Sequence, residues 1–349
     1  MDIEIVSTDI LNLLEVVELP GLTFRRFQGE SDYPKMLATI QGSKDADGIQ
    51  RSDTLEEIAH NYAHLVNCDP YQDMLFAEVD GQVVGYTRLW WNQNLDGEWF
   101  GYHLAFLLPE WRGKGIGSTF LRHNELRLRE ISEIQAVDGL LSPGSPRYFE
   151  VFSTDSEVSK ESLLRKNSYT PVRYFFEMVR PSLEDIPEAP MPPGLDVRPV
   201  RPEHRPAIWD AMQEAFRDHW NYVAPADEDY QNWLENPTQD PSLWKVAWDG
   251  DQVAGMVLSF INQDENREYN RKRGYTEEIS VRRPWRKRGL ARSLIVQSLY
   301  AIKDRGMAEA ALGVDANNLS GALRLYESVG YHVTRRSSAY RKPLMEAGA

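Results

Sequence analysis

Short stretches of alternating apolar and polar residues occur in the same order in the two halves of the chain. Each half opens with such a stretch, at residues 22–27 and 195–200. Alternation with a period of two is typical of half-buried strands. Charge-rich segments with helical periodicity follow at 31–65 and 203–234. The pattern predicts that one order of elements is used twice.

Each half continues with two strands around an Asp-Gly turn, at Asp80-Gly81 and Asp249-Gly250. Asp-Gly between alternating apolar runs is a strong signal for a β-hairpin. The strand after the turn begins Gln-Val-Val-Gly in one half and Gln-Val-Ala-Gly in the other. A third strand, a helix, a strand, a helix and a closing strand complete each half. This order predicts an α/β (α+β) fold with a mixed sheet and helices on both faces.

A proline-rich segment separates the two halves. Five prolines lie between Pro181 and Gly194. Because proline removes backbone donors and restricts the residue before it, this segment is predicted to be an extended linker. We therefore predict an N-terminal extension at 1–21, a first domain at 22–181, a linker at 182–194 and a second domain at 195–349.

Charge and composition exclude several classes of protein. The chain has 349 residues and a net charge of −14, all of it in residues 1–194. A nucleic-acid-binding protein would be expected to be basic, so we expect no nucleic-acid partner. No apolar run is long enough to cross a bilayer, and acidic residues interrupt the apolar N-terminus, so we expect no membrane association, no export signal and a cytoplasmic location. The single cysteine, Cys68, excludes an internal disulfide.

The most informative repeat is a glycine-containing loop at 107–118 and 281–292, with 174 residues between equivalent positions. Each copy follows a predicted strand, has the form Arg-x-x-Gly-x-Gly or Arg-x-x-Gly-x-Ala, and opens an apolar-periodic helix. Glycine permits close approach of a ligand to the backbone, and N–H groups at a helix start attract anions. Neighbouring arginines and lysines add charge suited to phosphates. The glycine patterns of dinucleotide folds and P-loops do not fit.

The doubled loop resembles the acetyl-coenzyme A signature of the GNAT acyltransferase superfamily. The resemblance covers residues 22–181 and 195–343, and the tandem arrangement is similar to that of mycothiol synthase-like proteins. It implies two tandem GNAT folds, each a mixed, mostly antiparallel twisted sheet flanked by helices. It also implies a transferase that moves an acetyl group from acetyl-coenzyme A to an amine, by direct attack in a ternary complex and without a metal.

Residues 314–331 resemble the later coenzyme A segment of this superfamily. By their four-residue spacing, Asn318, Ala322 and Tyr326 share one face of a helix. The resemblance implies that Asn318 bonds the pantetheine arm and that Ala322 leaves room for it. It implies that Tyr326 protonates the leaving thiolate. A core tyrosine is the alternative interpretation.

The first half departs from this pattern. If Tyr169 is aligned with Tyr331, Leu164 takes the place of Tyr326 and Lys160 the place of Ala322. Leucine cannot donate a proton, so the second domain is predicted to be catalytic and the first degenerate. The first half keeps a candidate cofactor loop, formed by Arg112, Gly113, Lys114, Gly115, Ile116 and Gly117.

The strand before the second loop contains two candidates for the general base. Alternation predicts that Glu277 and Glu278 face opposite sides, with Glu277 on the more apolar one. Each is a candidate base, and a surface role is the alternative. His219 and Trp220 are candidates for the wall of the acceptor cleft, with packing as the alternative. The predicted cofactor-binding residues of the second domain are Ile279, Ser280, Val281, Arg286, Lys287, Arg288, Gly289, Leu290, Ala291, Arg292, Asn318 and Ala322.

The leading hypothesis is an N-acetyltransferase for a small-molecule amine, such as an amino sugar, an antibiotic, a polyamine or an amino-acid derivative. Two alternatives stay open: a non-catalytic sensor or scaffold that binds acyl-coenzyme A, and a protein N-acetyltransferase. The histidines show no metal-ligand spacing, so we expect no metal. The chain is expected to be a monomer or a homodimer.

Overall fold

The computed structural model describes residues 17–317 and 321–344, so the predicted role of Asn318 lies outside the described residues. The chain forms two compact units. Of the described residues, the first unit contains 17–172 and 339–344, and the second contains 173–317 and 321–338.

The first unit contains five strands and five helices within the described residues. In chain order these are β1 (Leu22–Arg25), α1 (Tyr33–Lys44), α2 (Leu55–Ala63), α3 (Pro70–Asp73), β2 (Met74–Val79), β3 (Gln82–Gln93), β4 (Trp99–Leu107), α4 (Ile116–Val137), β5 (Arg147–Thr154) and α5 (Val158–Lys166). The strand order is β1-β2-β3-β4-β5. Only β4 and β5 pair in parallel here; the other described ladders of this unit are antiparallel.

The second unit repeats this plan. Its elements are β6 (Thr170–Arg180), β7 (Asp196–Arg198), α6 (Arg205–Phe216), α7 (Asp227–Glu235), β8 (Lys245–Asp249), β9 (Gln252–Phe260), α8 (Gln263–Glu268), β10 (Arg273–Val281), α9 (Leu290–Asp304), β11 (Glu309–Asp315), α10 (Ala322–Ser328) and β12 (His332–Pro343). Strand β6 belongs to this unit only from Arg173 onward, and β12 only as far as Ser338. The strand order is β12-β6-β11-β10-β9-β8-β7, with a parallel pair at β10 and β11. The predicted mixed sheet with helices is confirmed.

Local sequence explains why these elements begin where they do. Thr54 caps α2 through a reciprocal pair of hydrogen bonds with Glu57. Asp80 and Gly81 both have positive φ in the β2–β3 turn, as a two-residue hairpin with matching twist requires. Helix α9 buries a continuous apolar stripe, which includes Leu294, against the sheet of the second unit.

The last strand of each repeat does not stay with the repeat that precedes it in the sequence. Strand β6 follows the first repeat in the chain, yet it pairs with β11, from Ala310↔Arg180 to Asp315↔Phe175. The end of β12 joins the first unit, where the Leu344 N–H donates to the carbonyl of Arg147. The sequence repeats and the compact units therefore divide the chain at different residues.

The proline-rich segment forms neither helix nor strand. It is nevertheless packed, because Leu183 is buried in the core of the second unit. Arg180 donates to the carbonyl of Asp185 at 2.6 Å, which fixes the start of the segment.

The described residues can also be compared with the requirements of a membrane-spanning helix and of a metal site. None of the helices there has the length and apolarity that crossing a bilayer would require. Within the same residues, no three His, Cys, Asp or Glu side chains are grouped so that they could hold a metal ion.

Candidate active site

A cavity of about 1100 Å³ lies in the second unit, where β10 and β11 separate. The two parallel strands pair only from Arg273↔Glu309 to Tyr275↔Ala311. Beyond that point they diverge, and the gap is open to a ligand. The sequence-predicted residues that line the cavity are His219, Glu277, Glu278, Ile279, Ser280, Val281, Arg286, Lys287, Gly289, Leu290, Ala291, Arg292, Ala322 and Tyr326.

A β-bulge shapes one wall of this cavity. Glu277 pairs with Leu258 and Ser280 with Met256, so β10 holds one extra residue between these pairs. Glu278 takes the left-handed conformation, with φ +49°. The bulge interrupts the strict alternation from which Glu277 and Glu278 were predicted to face opposite sides, and both residues line the cavity.

Glu277 is held by the strand opposite. Its Oε1 accepts a hydrogen bond of 3.0 Å from the Gly313 N–H on β11. Burial raises the pKa of Glu277 from 4.5 to about 8; the Gly313 bond lowers it in part, and the nearby carboxylates of Glu278 and Glu177 raise it. A carboxyl group in this state can exchange a proton near neutral pH.

Tyr326 lies in α10 with 6% of its surface exposed, and it lines the same cavity. Burial raises the pKa of its hydroxyl, and the charge of Glu277 raises it further, so Tyr326 keeps its proton at neutral pH. The ring packs edge-on against Tyr331, with centroids 6.4 Å apart. The hydroxyl of Tyr331 bonds Thr276 at 2.8 Å. Tyr326 is thus a protonated hydroxyl held in place on the cavity wall.

The second glycine loop joins β10 to α9. Lys287 and Gly289 have positive φ, +62° and +84°, and α9 begins at Leu290. Successive N–H groups in such a turn converge on one point, where the helix dipole also favours an anion. In the described structure, no other atom lies within 4 Å of the place a Cβ on Gly289 would take. The loop therefore has room for a phosphate against its backbone.

The first arginine of each loop holds the loop in place. The Arg286 guanidinium donates to the carbonyls of Val281 and Ala215, at 2.9 and 3.2 Å, and to Asp218 at 2.6 Å. These bonds leave the guanidinium committed to protein groups, so its direct contribution is to fix the loop. Arg283 also bonds Asp218, and the two arginines hold the pKa of that carboxyl well below its usual range.

The first unit contains the same arrangement, in which an arginine bonds a strand-end carbonyl and an acid; we call it the arginine brace. Arg112 donates to the carbonyl of Leu107 at 3.2 Å and to both carboxylate oxygens of Asp47, at 2.6 and 2.8 Å. The strand end, the arginine and the acid after the first long helix thus recur in both units. The sequence pattern predicts phosphate binding for these two arginines and does not indicate the two acids.

Two further predicted residues lie away from the cavity lining. Arg288 is absent from the lining residues, all of which the structure describes. Trp220 packs behind the wall, with its ring 6.1 Å from that of Phe175 and under the guanidinium of Arg173 at 5.5 Å. Arg292 lines the cavity but also bonds the carbonyl and hydroxyl of Ser328.

Several lining residues were not anticipated from the sequence. They come from β6, from the end of β11 and from β12, and they are Phe175, Phe176, Glu177, Gly313, Val314, Asp315 and Ser337. The residues from β6 carried no local signal, because their place depends on which strand β6 pairs with. A comparison of the two strand ends would have pointed to Gly313 and Asp315.

The first unit differs at each of these places. Val17 covers its loop, since a Cβ on Gly115 would lie 2.7 Å from Val17 Cγ2. Leu164 is 2% exposed, inside the core. Strands β3 and β4 pair without a register shift from Gly85↔Leu107 to Gln93↔Trp99, so β4 has no counterpart of the bulge.

Two family models match the chain. The acetyltransferase (GNAT) family matches residues 206–331, and the acetyltransferase (GNAT) domain matches residues 70–148. Curated relatives include the mycothiol acetyltransferase of Thermobispora bispora, 28% identical over 91% of this chain and 95% of that protein. That of Catenulispora acidiphila is 26% identical over 66% of this chain and 68% of that protein.

Solved structures agree on the architecture. A GCN5-related N-acetyltransferase from Sphaerobacter thermophilus matches with a TM-score of 0.67 and 25% identity, over 93% of this chain and 96% of that chain. A tandem GNAT protein from the clavulanic acid biosynthesis pathway has the same fold, with a TM-score of 0.63 and 12% identity over 93% and 99% of the two chains. The chain is a member of the GNAT acetyltransferase family, with two GNAT domains in tandem.

Proposed function

We propose that the second unit transfers an acetyl group from acetyl-coenzyme A to the amine of a small molecule, by direct attack in a ternary complex. One observation carries the proposal. A carboxyl group that titrates near neutral pH, Glu277, and a buried tyrosine, Tyr326, line the same cavity as an anion-binding glycine loop. These are a base, an acid and a phosphate site, which are the parts the reaction needs.

The loop fits the phosphates of acetyl-coenzyme A. The left-handed backbones of Lys287 and Gly289 and the start of α9 offer N–H groups and positive charge. Ala322 presents a small side chain to the cavity, where the pantetheine arm needs room. We assign the cofactor to Ile279, Ser280, Val281, Lys287, Gly289, Leu290, Ala291, Arg292 and Ala322, with Arg286 holding the loop.

The residues divide the chemistry as follows. Glu277 takes a proton from the acceptor's ammonium group, so that the neutral amine attacks the thioester carbonyl. The bulge leaves Glu278 and Ile279 outside the ladder pairs, where a backbone N–H can stabilise the developing oxyanion. The carbon–nitrogen bond forms, the carbon–sulfur bond breaks, and Tyr326 protonates the leaving thiolate. The tyrosinate regains a proton from the acetylated nitrogen, which leaves a neutral amide, and Glu277 returns its proton to solvent.

We propose a structural role for the first unit. It keeps the arginine brace at Arg112, but Leu164 replaces the acid and Val17 covers Gly115. The similarity to mycothiol acetyltransferases supports a small-molecule acceptor. The cytoplasmic location and the monomeric or homodimeric state stay predictions.

The variant Tyr326→Phe tests the proposal. Release of coenzyme A is measured with a broad amine panel, and acetyl-coenzyme A binding by calorimetry. Loss of the acid should lower kcat about a hundredfold while the affinity for acetyl-coenzyme A is kept. Tyr331→Phe is the matched control, because Tyr331 bonds Thr276 and does not line the cavity.

Three outcomes count against the proposal. An unchanged kcat in Tyr326→Phe would remove Tyr326 from the mechanism. Binding of acetyl-coenzyme A without turnover of any amine would favour the sensor hypothesis. Neither binding nor turnover would end the assignment of an active acetyltransferase.

A further inference from the structure

Strand β6 brings residues of the first sequence repeat into the cavity of the second. It pairs with β11 so that Phe175 lies opposite Asp315 and Glu177 opposite Gly313. Phe175, Phe176 and Glu177 all line the cavity. Because the cavity contains a strand from outside the second repeat, its selectivity need not be encoded within residues 195–349.

The two faces of β6 have different surroundings. Phe176 packs against the core cluster that contains α9. Phe175 and Glu177 lie on the other face, since alternate residues of a strand point the same way. The ring of Trp220 packs against that of Phe175. The guanidinium of Arg173 lies over the Trp220 ring and donates to both carboxylate oxygens of Asp315, at 2.6–3.0 Å. These contacts hold Phe175 and Asp315 in place at this end of the cavity.

The positively charged residues that line the cavity lie together in one part of it. The arginines and the lysine among the lining residues, Arg286, Lys287 and Arg292, belong to the glycine loop and the start of α9. The remaining charged lining residues are carboxylates: Glu177, Asp218, Glu277, Glu278 and Asp315.

The arginines that pair with Glu177 and Asp315 lie behind the surface, whereas Asp218 pairs with Arg286 at the glycine loop. Arg173, Arg273 and Arg335 contact Asp315 or Glu177, at 2.6, 3.4 and 3.6 Å, but none of them is among the lining residues. An acceptor therefore meets carboxylate oxygens and an aromatic ring at this wall.

We propose that Phe175 and Glu177 bind the non-reacting part of the acceptor, and that this wall selects amines without a carboxylate close to the amino group. The inference rests on the proposed function. An acceptor that presents ammonium or hydroxyl donors is attracted by the carboxylates, whereas an acceptor with its own carboxylate is repelled by them.

Matched pairs of acceptors provide the test. Histamine and histidine, tyramine and tyrosine, and cadaverine and lysine differ only in the carboxylate beside the carbon chain. In the wild-type protein, kcat/KM should be about tenfold or more higher for the member without the carboxylate, as expected for repulsion between partly solvated charges. Glu177→Gln should reduce this ratio severalfold and leave the KM for acetyl-coenzyme A unchanged.

Two further variants sharpen the test. Phe175→Leu should raise the KM for tyramine and histamine more than the KM for cadaverine, because a ring loses its aromatic contact. Glu184→Gln is the charge-matched control, since Glu184 forms an exposed ion pair with Lys303 and does not line the cavity. It should change neither ratio. Melting temperatures establish that each variant is folded.

The outcomes separate this inference from the proposed function. If the wild-type protein acetylates none of the amines, the proposed function fails. If it acetylates them without the preference, or with a preference that Glu177→Gln and Phe175→Leu leave intact, the inference fails and the acetyltransferase stands. If the KM for acetyl-coenzyme A rises together with that for the acceptor, β6 acts only on the structure, which also overturns the inference.

Discussion

The proposed base should make the protein less stable as the pH rises, and its removal should reverse this. Glu277 has a pKa of about 8 in the folded protein, compared with 4.5 as its ordinary value. Between these two pH values the native state binds a proton that the unfolded state has released. The free energy of unfolding therefore falls as pH rises from 4.5 to 8, and is unaffected by Glu277 below 4.5.

The size of the effect follows from the shift. Each pKa unit corresponds to about 1.4 kcal/mol, so the full shift would equal about 5 kcal/mol. Water in the cavity screens the carboxylate, and we expect about 2 kcal/mol of this to be measured at pH 8. In Glu277→Gln the amide oxygen keeps the acceptor for the Gly313 N–H, so the bond at 3.0 Å need not be lost.

The assay is thermal unfolding without ligand at pH 5 and pH 8. Glu277→Gln should match the wild type at pH 5 and melt about 4–8 °C higher at pH 8. Its acetylation rate should fall about a hundredfold or more at pH 8, and the difference from the wild type should shrink at pH 5, where Glu277 is already protonated in the wild type. Glu184→Gln, which changes an exposed charge in the same unit, controls for the general effect of charge.

The rate of the wild-type protein provides an independent check. Because the base must be deprotonated, kcat/KM should fall about tenfold per pH unit below the pKa of Glu277. A variant that melts at or below the wild-type temperature at pH 8 would refute the stability argument. A pH–rate profile that is flat between pH 6 and 9 would refute the assignment of Glu277 as the base.

Three other predictions concern the loops and the first unit. Gly289→Glu should abolish calorimetric binding of acetyl-coenzyme A by bulk and charge in an otherwise open turn; a retained site of unchanged affinity would place the cofactor elsewhere. Lys287→Gly should raise the free energy of unfolding by about 1 kcal/mol in denaturant titrations, because φ is +62° there, while binding of acetyl-coenzyme A weakens severalfold; a less stable variant would contradict the strain. Leu164→Tyr should overfill the core of the first unit and cost about 1–3 kcal/mol without creating a second binding site in calorimetry; a stoichiometry of two would show that only the acid was missing.

Much of the fold could be predicted because its signals are local. The Asp-Gly turns, the alternating strands and the doubled loop each occupy a few neighbouring residues, and their order repeats. Tyr326 and Glu277 were found because one lies on a periodic helix and the other on a strand next to the loop. Both line the cavity.

The remaining features depend on contacts that the local pattern does not encode. Glu278 adopts φ +49° although it is not a glycine, so the bulge had no sequence signature. The arginine brace needs an acid from a distant helix end, Asp218 or Asp47. Strand β6 could equally well have paired within its own repeat, and only the tertiary structure decides that it joins β11.

The two units share the arginine contacts that hold the glycine loop, but they differ in the residues proposed for catalysis. Both keep the arginine that ties the loop to the preceding strand and to an acid, since Arg112 and Arg286 make the same bonds. Only the second unit combines the bulge and the tyrosine in a described cavity. The first repeat contributes to that cavity through β6, because Phe175 and Glu177 form part of its wall. On the proposed assignment of the acceptor wall, the first repeat supplies part of that wall although Leu164 replaces its acid, so residues 195–349 alone would lack Phe175 and Glu177.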